Sequence, residues 1–328
     1  MIRKSLLLIF GILTATVGAQ IAEPILPIVQ YRAAPEPFPA LLFTDTIKAQ
    51  KEQSVARPYW VPTEEEERTH TLPLLLNTDV LAYYGHPASS LMGILGRHSK
   101  EEIHDQLQVL AEEYKAVNGG RDVITAFYII YGTVHPGGAI GIINEEMLLS
   151  YIEYALDHTM LVFIDHQIGK YDPVDSLKTM LPYLKYPNVH LALDPEWRTT
   201  RPMQEIGMVT GAEINAAQKV MEEYIREQKL PGDRMLVIHQ FRYSMIQNRS
   251  QVKSGLSTVR LVLCADGFGS PAAKRGSYEY NALATNIPIK GFKLFYNSGI
   301  RGAGYDHPLL VPEEVYALNP RPSLIMYQ

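Results

Sequence analysis

Along the chain, short runs of β-branched and aromatic residues alternate with longer segments in which apolar side chains recur every three or four positions. The runs are "DVLAYYG" (79–85), "VITAFYIIY" (123–131), "LVFIDHQ" (161–167), "VHLALD" (189–194), "MLVIHQF" (235–241), "VRLVLCAD" (259–266), "IKGFKLFY" (289–296) and "SLIMYQ" (323–328). Their length and their lack of a polar face predict strands buried on both sides. Between the first two, "SKEEIHDQLQVLAEEYKAV" puts Ile103, Leu107, Leu110, Tyr114 and Val117 on one helical face, with a Ser99/Glu102 capping box before it and Gly119-Gly120 after it. "NEEMLLSYIEYAL" and "AEINAAQKVMEEYI" repeat the pattern after the second and fourth runs, and "VDSLKTMLPYL" does so more weakly. Eight buried strands with crossover helices predict a closed parallel (β/α)8 barrel, a TIM-type α/β fold. An open doubly wound sheet is the competing arrangement, but no Gly-rich phosphate loop follows the first run, and nothing else in the sequence asks for a cofactor.

The barrel pattern occupies residues 72–328, and what precedes it is different. Residues 1–19, "MIRKSLLLIFGILTATVGA", combine a basic start, about a dozen apolar residues and a small-residue cleavage site, the pattern of a secretory signal peptide. A membrane span needs about 20 apolar residues, more than are present there. Residues 20–71 are proline-rich ("APEPFPA", "RPYWVP") and then acidic ("TEEEERTH"), which reads as an arm or linker. The expected location is therefore extracytoplasmic, secreted or periplasmic, with no membrane span left after cleavage.

Composition removes several classes of function. With 30 basic and 35 acidic side chains the net charge is −5, and no dense Lys/Arg stripe offers a surface to nucleic acid. The single cysteine, Cys264, lies inside an apolar run, so an internal disulfide and a cysteine-based zinc site are excluded, and its expected place is the core.

In a barrel of this type the residues that end the strands face the mouth where chemistry takes place. Polar side chains cluster at those ends: Tyr84 and His86, then His135, Asp165, His166 and Gln167, Asp194 and Glu196, His239 and Gln240, Asp266, and finally Lys293 and Tyr296. Strand alternation puts Asp194 and Glu196 on the face of Ala192, with Leu191 and Leu193 toward the helices, and pairs Asp165 with Gln167 and Asp266 with Cys264. Two carboxyls held close together repel, so one keeps its proton near neutrality and can act as a general acid, the arrangement that glycoside cleavage uses. Asp165, Asp194, Glu196 and Asp266 are thus the candidate catalytic acids, with Glu196 as proton donor. Tyr84, His86, Gln167, Trp197, His239, Gln240, Lys293 and Tyr296 are the candidate substrate contacts, Trp197 by stacking on a sugar ring. Two other readings share these residues. A metal-dependent hydrolase would use His86, His166 or His239 with the acids, although no metal-ligand spacing motif is present and no metal site is assigned. A non-catalytic barrel would keep the mouth as a pocket for envelope glycans.

The stretches "YYGHPASSLMGILG", "ALDPEWR", "EINAAQKVM", "LVIHQF", "DGFG" and "GFKLFYN" resemble a family of exported bacterial barrel proteins, many of them actinobacterial lipoproteins. The resemblance spans about residues 80–328 and implies export and the barrel, but no substrate. This sequence departs from those lipoproteins in lacking the lipidated cysteine. A second, partial resemblance is to chitinase-type glycosidases, whose fourth strand closes on Asp-x-Glu as this one does at Asp194-x-Glu196. It implies a general acid at Glu196 and an orienting role toward the substrate's acetamido group at Asp194. Ala192 stands where those enzymes carry an earlier acid, which argues against carrying over the acetamido-assisted route.

Overall fold

A computed structural model of the chain describes residue 75 and residues 78–328; the expected signal peptide (1–19) and arm (20–71) lie outside the described residues. Eight strands form the barrel: β1 (Thr78–Gly85), β2 (Asp122–Val134), β3 (Leu161–His166), β4 (Val189–Leu193), β5 (Arg234–His239), β6 (Val259–Ala265), β7 (Ile289–Leu294) and β8 (Leu324–Tyr327). Each pairs in parallel with the next, and β1 pairs with both β8 and β2, which closes the sheet.

Alternation along these strands divides the core in two. Val80, Ala82, Tyr128, Phe163, Ala192, Val237 and Cys264 fill the barrel interior. Leu81, Phe127, Val162, Leu191, Leu193 and Ile238 belong to the outer layer, under the helices. The helices are α1 (Lys100–Val117), α2 (Glu145–Asp157), α3 (Pro173–Met180), α4 (Gly211–Glu227), α5 (Pro271–Ala282) and α6 (Pro312–Tyr316). The Ser99/Glu102 box opens α1, and an equivalent Thr210/Glu213 box opens α4. Gly119, at φ +75°, takes the left-handed turn that ends α1. Among the described residues no helix is long and apolar enough to cross a membrane.

Three connections depart from the regular alternation. "GGAIG" reads as plain loop in the sequence, yet residues 140–142 run back antiparallel against the end of β2. Between β5 and β6 there is no α-helix; the segment holds 3-10 turns and a two-residue strand (Ile246–Gln247) paired with Val209–Thr210. The connection from β7 to β8 has only the five-residue α6.

The end of the barrel opposite the mouth is clasped around one carboxylate. Asp79, at the start of β1, accepts from Arg121 Nε at 2.8 Å, Arg321 Nη2 at 2.6 Å and Tyr316 Oη at 2.8 Å. Arg121 also donates to the carbonyls of Leu75 and Thr78, and Arg321 to that of Asn118. This one side chain therefore ties β1 to the start of β2 and to the chain leading into β8, across the seam that closes the barrel. Replacement of Asp79 by alanine removes the one carboxylate that two guanidinium groups share. It should cost about 2–4 kcal/mol in denaturant unfolding, whereas a change under about 0.5 kcal/mol would contradict the clasp.

Candidate active site

Parity and register carry the polar side chains of the mouth inward. Asp165 is the fifth residue of β3 and lies across the ladder from Ala192, whose small side chain leaves room beside it. His239 ends β5 and pairs in register with Cys264 of β6. Lys293, two residues beyond Gly291, and Asp266, just past the end of β6, stand at the next level. Asp165, Asp194, His239, Asp266 and Lys293 are all buried.

His239 sits at the centre of this group. Its Nδ1 lies 3.1 Å from Asp266 Oδ2, and its Nε2 lies 2.9 Å from Tyr128 Oη and 3.7 Å from Asp165 Oδ2. Tyr84 Oη donates to the same Asp165 oxygen at 3.0 Å, and Lys293 Nζ stands 3.5 Å from the centre of the Tyr84 ring. The second oxygens of Asp165 and Asp266 are buried and have no hydrogen-bond partner among the described residues.

Burial and charge together set the protonation of this cluster. Burial alone would push the His239 imidazole down, but the carboxylates of Asp165, Asp266 and Asp194 outweigh it, and the net is upward, to about 9. His239 is therefore an imidazolium near neutrality. Burial is the main cause that raises Asp194 to about 7 and Glu196 to about 8; their acidic neighbours add to it, while His239 and Lys293 oppose it. Asp165 is raised too, chiefly by burial. Four acids share the mouth with two cations, so protons remain on part of the carboxyl set at pH values where carboxylates are ordinarily ionised.

Glu196 reaches this group by a different route from the one its spacing predicts. β4 stops at Leu193, and residues 195–197 form a 3-10 turn in which Asp194 Oδ1 accepts from the Glu196 backbone N–H at 3.2 Å. The half-buried Glu196 carboxyl feels Asp194, Asp266, Lys293 and His239. A turn, not strand alternation, thus presents it, and Asp194 both caps that turn and faces the mouth.

Several expected substrate contacts are engaged elsewhere. Gln167 Oε1 accepts from Val134 N and pins the extension of β2. Gln240 is buried, with Oε1 accepting from Arg249 and Nε2 donating to the Arg242 carbonyl. Tyr296 packs outside the barrel, stacked on Tyr327 at 5.1 Å and edge-on to Tyr83 at 6.4 Å, because the inward parity of β7 falls on Lys293. His86 is half-buried in the loop after β1, where its Nδ1 accepts from Ala88 N. Trp197 is half-buried in the turn itself, where its carbonyl accepts from Gly169 N. His166 lies beside Tyr131 and against Gly132, in the outer layer. Of the histidines on which the metal reading stood, His239 alone contacts the mouth acids, and among the described residues no three His, Cys, Asp or Glu side chains are grouped so that they could hold a metal ion.

Tyr128 belongs to the site and is not at a strand end. β2 continues to Val134, beyond its neighbours, so the level of the mouth falls in mid-strand, where Tyr128 lies across from Tyr84 and Phe163. The inward parity of Ala126, Tyr128 and Ile130 is the sequence signal that could have found it.

No family model and no curated relative matches the chain. Among solved structures, the chain is similar to the chitinase ICChI from Ipomoea carnea (TM-score 0.45, 11% identity, covering 75% of this chain and 93% of that one). It is also similar to the GH18 chitinase ChiB from the chitin utilization locus of Flavobacterium johnsoniae (TM-score 0.41, 9% identity, 76% and 87% covered) and to the Bacillus subtilis mannanase BCman (TM-score 0.38, 12% identity, 85% of each chain).

Because Asp194 and Glu196 hold protons more tightly folded than unfolded, their contribution to stability is complete below about pH 4 and is lost as pH rises through about 7–8. Glu196→Gln removes one of the two ionisations. Its melting temperature relative to wild type should show near zero difference at pH 4 and be higher by several degrees at pH 8. A difference that does not vary with pH would contradict the protonation scheme.

Proposed function

We propose that the protein is an extracytoplasmic hydrolase that cleaves a glycan, with Glu196 as the proton donor. The charge balance of the mouth carries this reading: a carboxyl that retains its proton near neutrality stands among carboxylates and an imidazolium, out of bulk water. Glycoside cleavage asks for that combination, a protonated acid to release the leaving oxygen and negative charge to meet the developing oxocarbenium ion. Glu196, half-buried on its turn, is the acid at the opening. Asp194 sets that turn and adds a carboxyl beside it.

In the proposed reaction the C–O bond to the leaving group breaks as the Glu196 proton passes to its oxygen. The sugar carbon then takes the oxygen of a water molecule, and the water's proton returns to the Glu196 carboxylate. His239 holds Asp266 and lies near Asp165, so these acids are kept oriented. The unpartnered oxygens of Asp165 and Asp266 are acceptors that suit sugar hydroxyls. The closing Asp194-x-Glu196, shared with chitinase-type glycosidases, supports the same roles. Asp165, across the ladder from Ala192, stands beside the position where those enzymes carry a further acid. Export follows from the signal-like residues 1–19 and is part of the proposal.

Glu196→Gln should lower kcat on natural glycans by about 10²–10⁴-fold, the contribution of a positioned general acid. The loss should be smaller on nitrophenyl glycosides, whose leaving group needs little protonation. Wild-type kcat/KM should fall as pH rises through about 8, where Glu196 gives up its proton. A Glu196→Gln enzyme that cleaves chitooligosaccharides, mannooligosaccharides or cell-wall glycan strands as fast as wild type would remove Glu196 from this role.

A further inference from the structure

The loops that follow β1 to β7 surround the mouth, and each carries at least one large apolar side chain exposed to solvent. Among the described residues ten large hydrophobic side chains are exposed, and eight of them stand on these loops, 40–86% exposed, with Val311 joining Tyr305 after β7. Leu91, Ile142 and Met203 are aliphatic and follow β1, β2 and β4. Tyr171, Tyr243, Phe268 and Tyr305 are aromatic and follow β3, β5, β6 and β7. Exposed apolar residues scattered singly need no explanation, but one at every loop of a single face does.

The same loops carry Arg97, whose guanidinium donates to the Ser90 and Ser298 carbonyls, and Lys170, Arg242 and Arg301. Their acids outside the mouth are engaged close by: Asp172 caps α3, Glu205 pairs with Arg201, and Asp306 is buried against Lys274. The acidic side chains of this net-negative chain concentrate instead on α1, α2 and α4. The mouth face is thus apolar at its tips and basic between them, and the flanks are acidic.

We propose that the mouth face of the barrel docks on an anionic lipid bilayer, with the loop tips entering the headgroup region and the rim cations meeting lipid phosphates. The protein then lies on the surface and does not span it. Aliphatic tips distinguish this occupant from a polysaccharide: sugar rings stack on aromatic faces, whereas Leu91, Ile142 and Met203 gain only by leaving water. Met203, the most exposed of these side chains, sits on the loop that follows β4.

The test uses the full chain with vesicles of phosphatidylcholine mixed with phosphatidylglycerol and of phosphatidylcholine alone. Cys264 is buried, so a polarity-sensitive maleimide dye goes to an introduced cysteine at Met203→Cys or, as a control on α1, at Val109→Cys. The dye at 203 should shift to the blue and be quenched by lipid-borne quencher in the mixed vesicles, less so with phosphatidylcholine alone or at high salt, while the dye at 109 stays in water. Leu91→Ser/Ile142→Ser/Met203→Ser should weaken binding to mixed vesicles roughly tenfold or more. The proposal is overturned if neither vesicle binds, if bound protein leaves position 203 in water, or if the triple variant binds like wild type. It is also overturned if soluble polygalacturonate, and not the vesicles, moves the dye at 203.

Discussion

The mouth of this barrel depends on the imidazolium of His239. A buried cation there would be costly by itself, and three carboxylates around it reverse the cost, so that its proton is held up to about 9. Two of those carboxylates, Asp165 and Asp266, flank the ring at Nε2 and Nδ1 and thereby fix its plane. Tyr84 and Tyr128 then take up positions on Asp165 and on the ring nitrogen, and Lys293 closes the wall over Tyr84. Burial raises Asp194 and Glu196, and neighbouring acids that the two cations do not neutralise add to it, so both keep protons. The acid chemistry proposed for Glu196 follows first from burial and then from its acidic neighbours, not from any special property of glutamate.

The closed barrel makes that shortage durable. Strand alternation commits one side chain in two to the interior, and closure through β1 leaves no edge at which water or a neighbour could relieve it. Asp79 holds the seam at the opposite end, away from the chemistry, in keeping with the division between a functional mouth and a stabilising base in this architecture. Ala192, opposite Asp165, shows the same economy: a small residue in β4 gives space to a large polar one on β3.

Much of this was legible in the sequence because the period-2 parity of a buried strand is strict. The inward pair Ala192 and Asp194, and the inward Asp165, His239 and Lys293, follow from counting. Parity stops being informative where a strand stops. Glu196 lies past the end of β4 and owes its place to a capped turn, and Gln240 and Tyr296 lie past strand ends too, one pinned to a loop and the other packed outside. Tyr128 shows the converse: β2 overshoots the mouth, so a site residue sits in mid-run where no end signal marks it. Hydrogen bonds such as Gln167 to Val134 N join segments far apart in the chain, and no local pattern announces them.

The ionisation of the two acids at β4 is the point from which the functional reading stands or falls. It is open to direct observation by carbon-13 NMR of the side-chain carboxyls, with Asp194→Asn and Glu196→Gln to assign the signals. The account predicts that the Glu196 carboxyl titrates near pH 8 and that of Asp194 near pH 7, with protonated signals of both present at pH 6. Midpoints of both groups in the ordinary range, near 4, would contradict it.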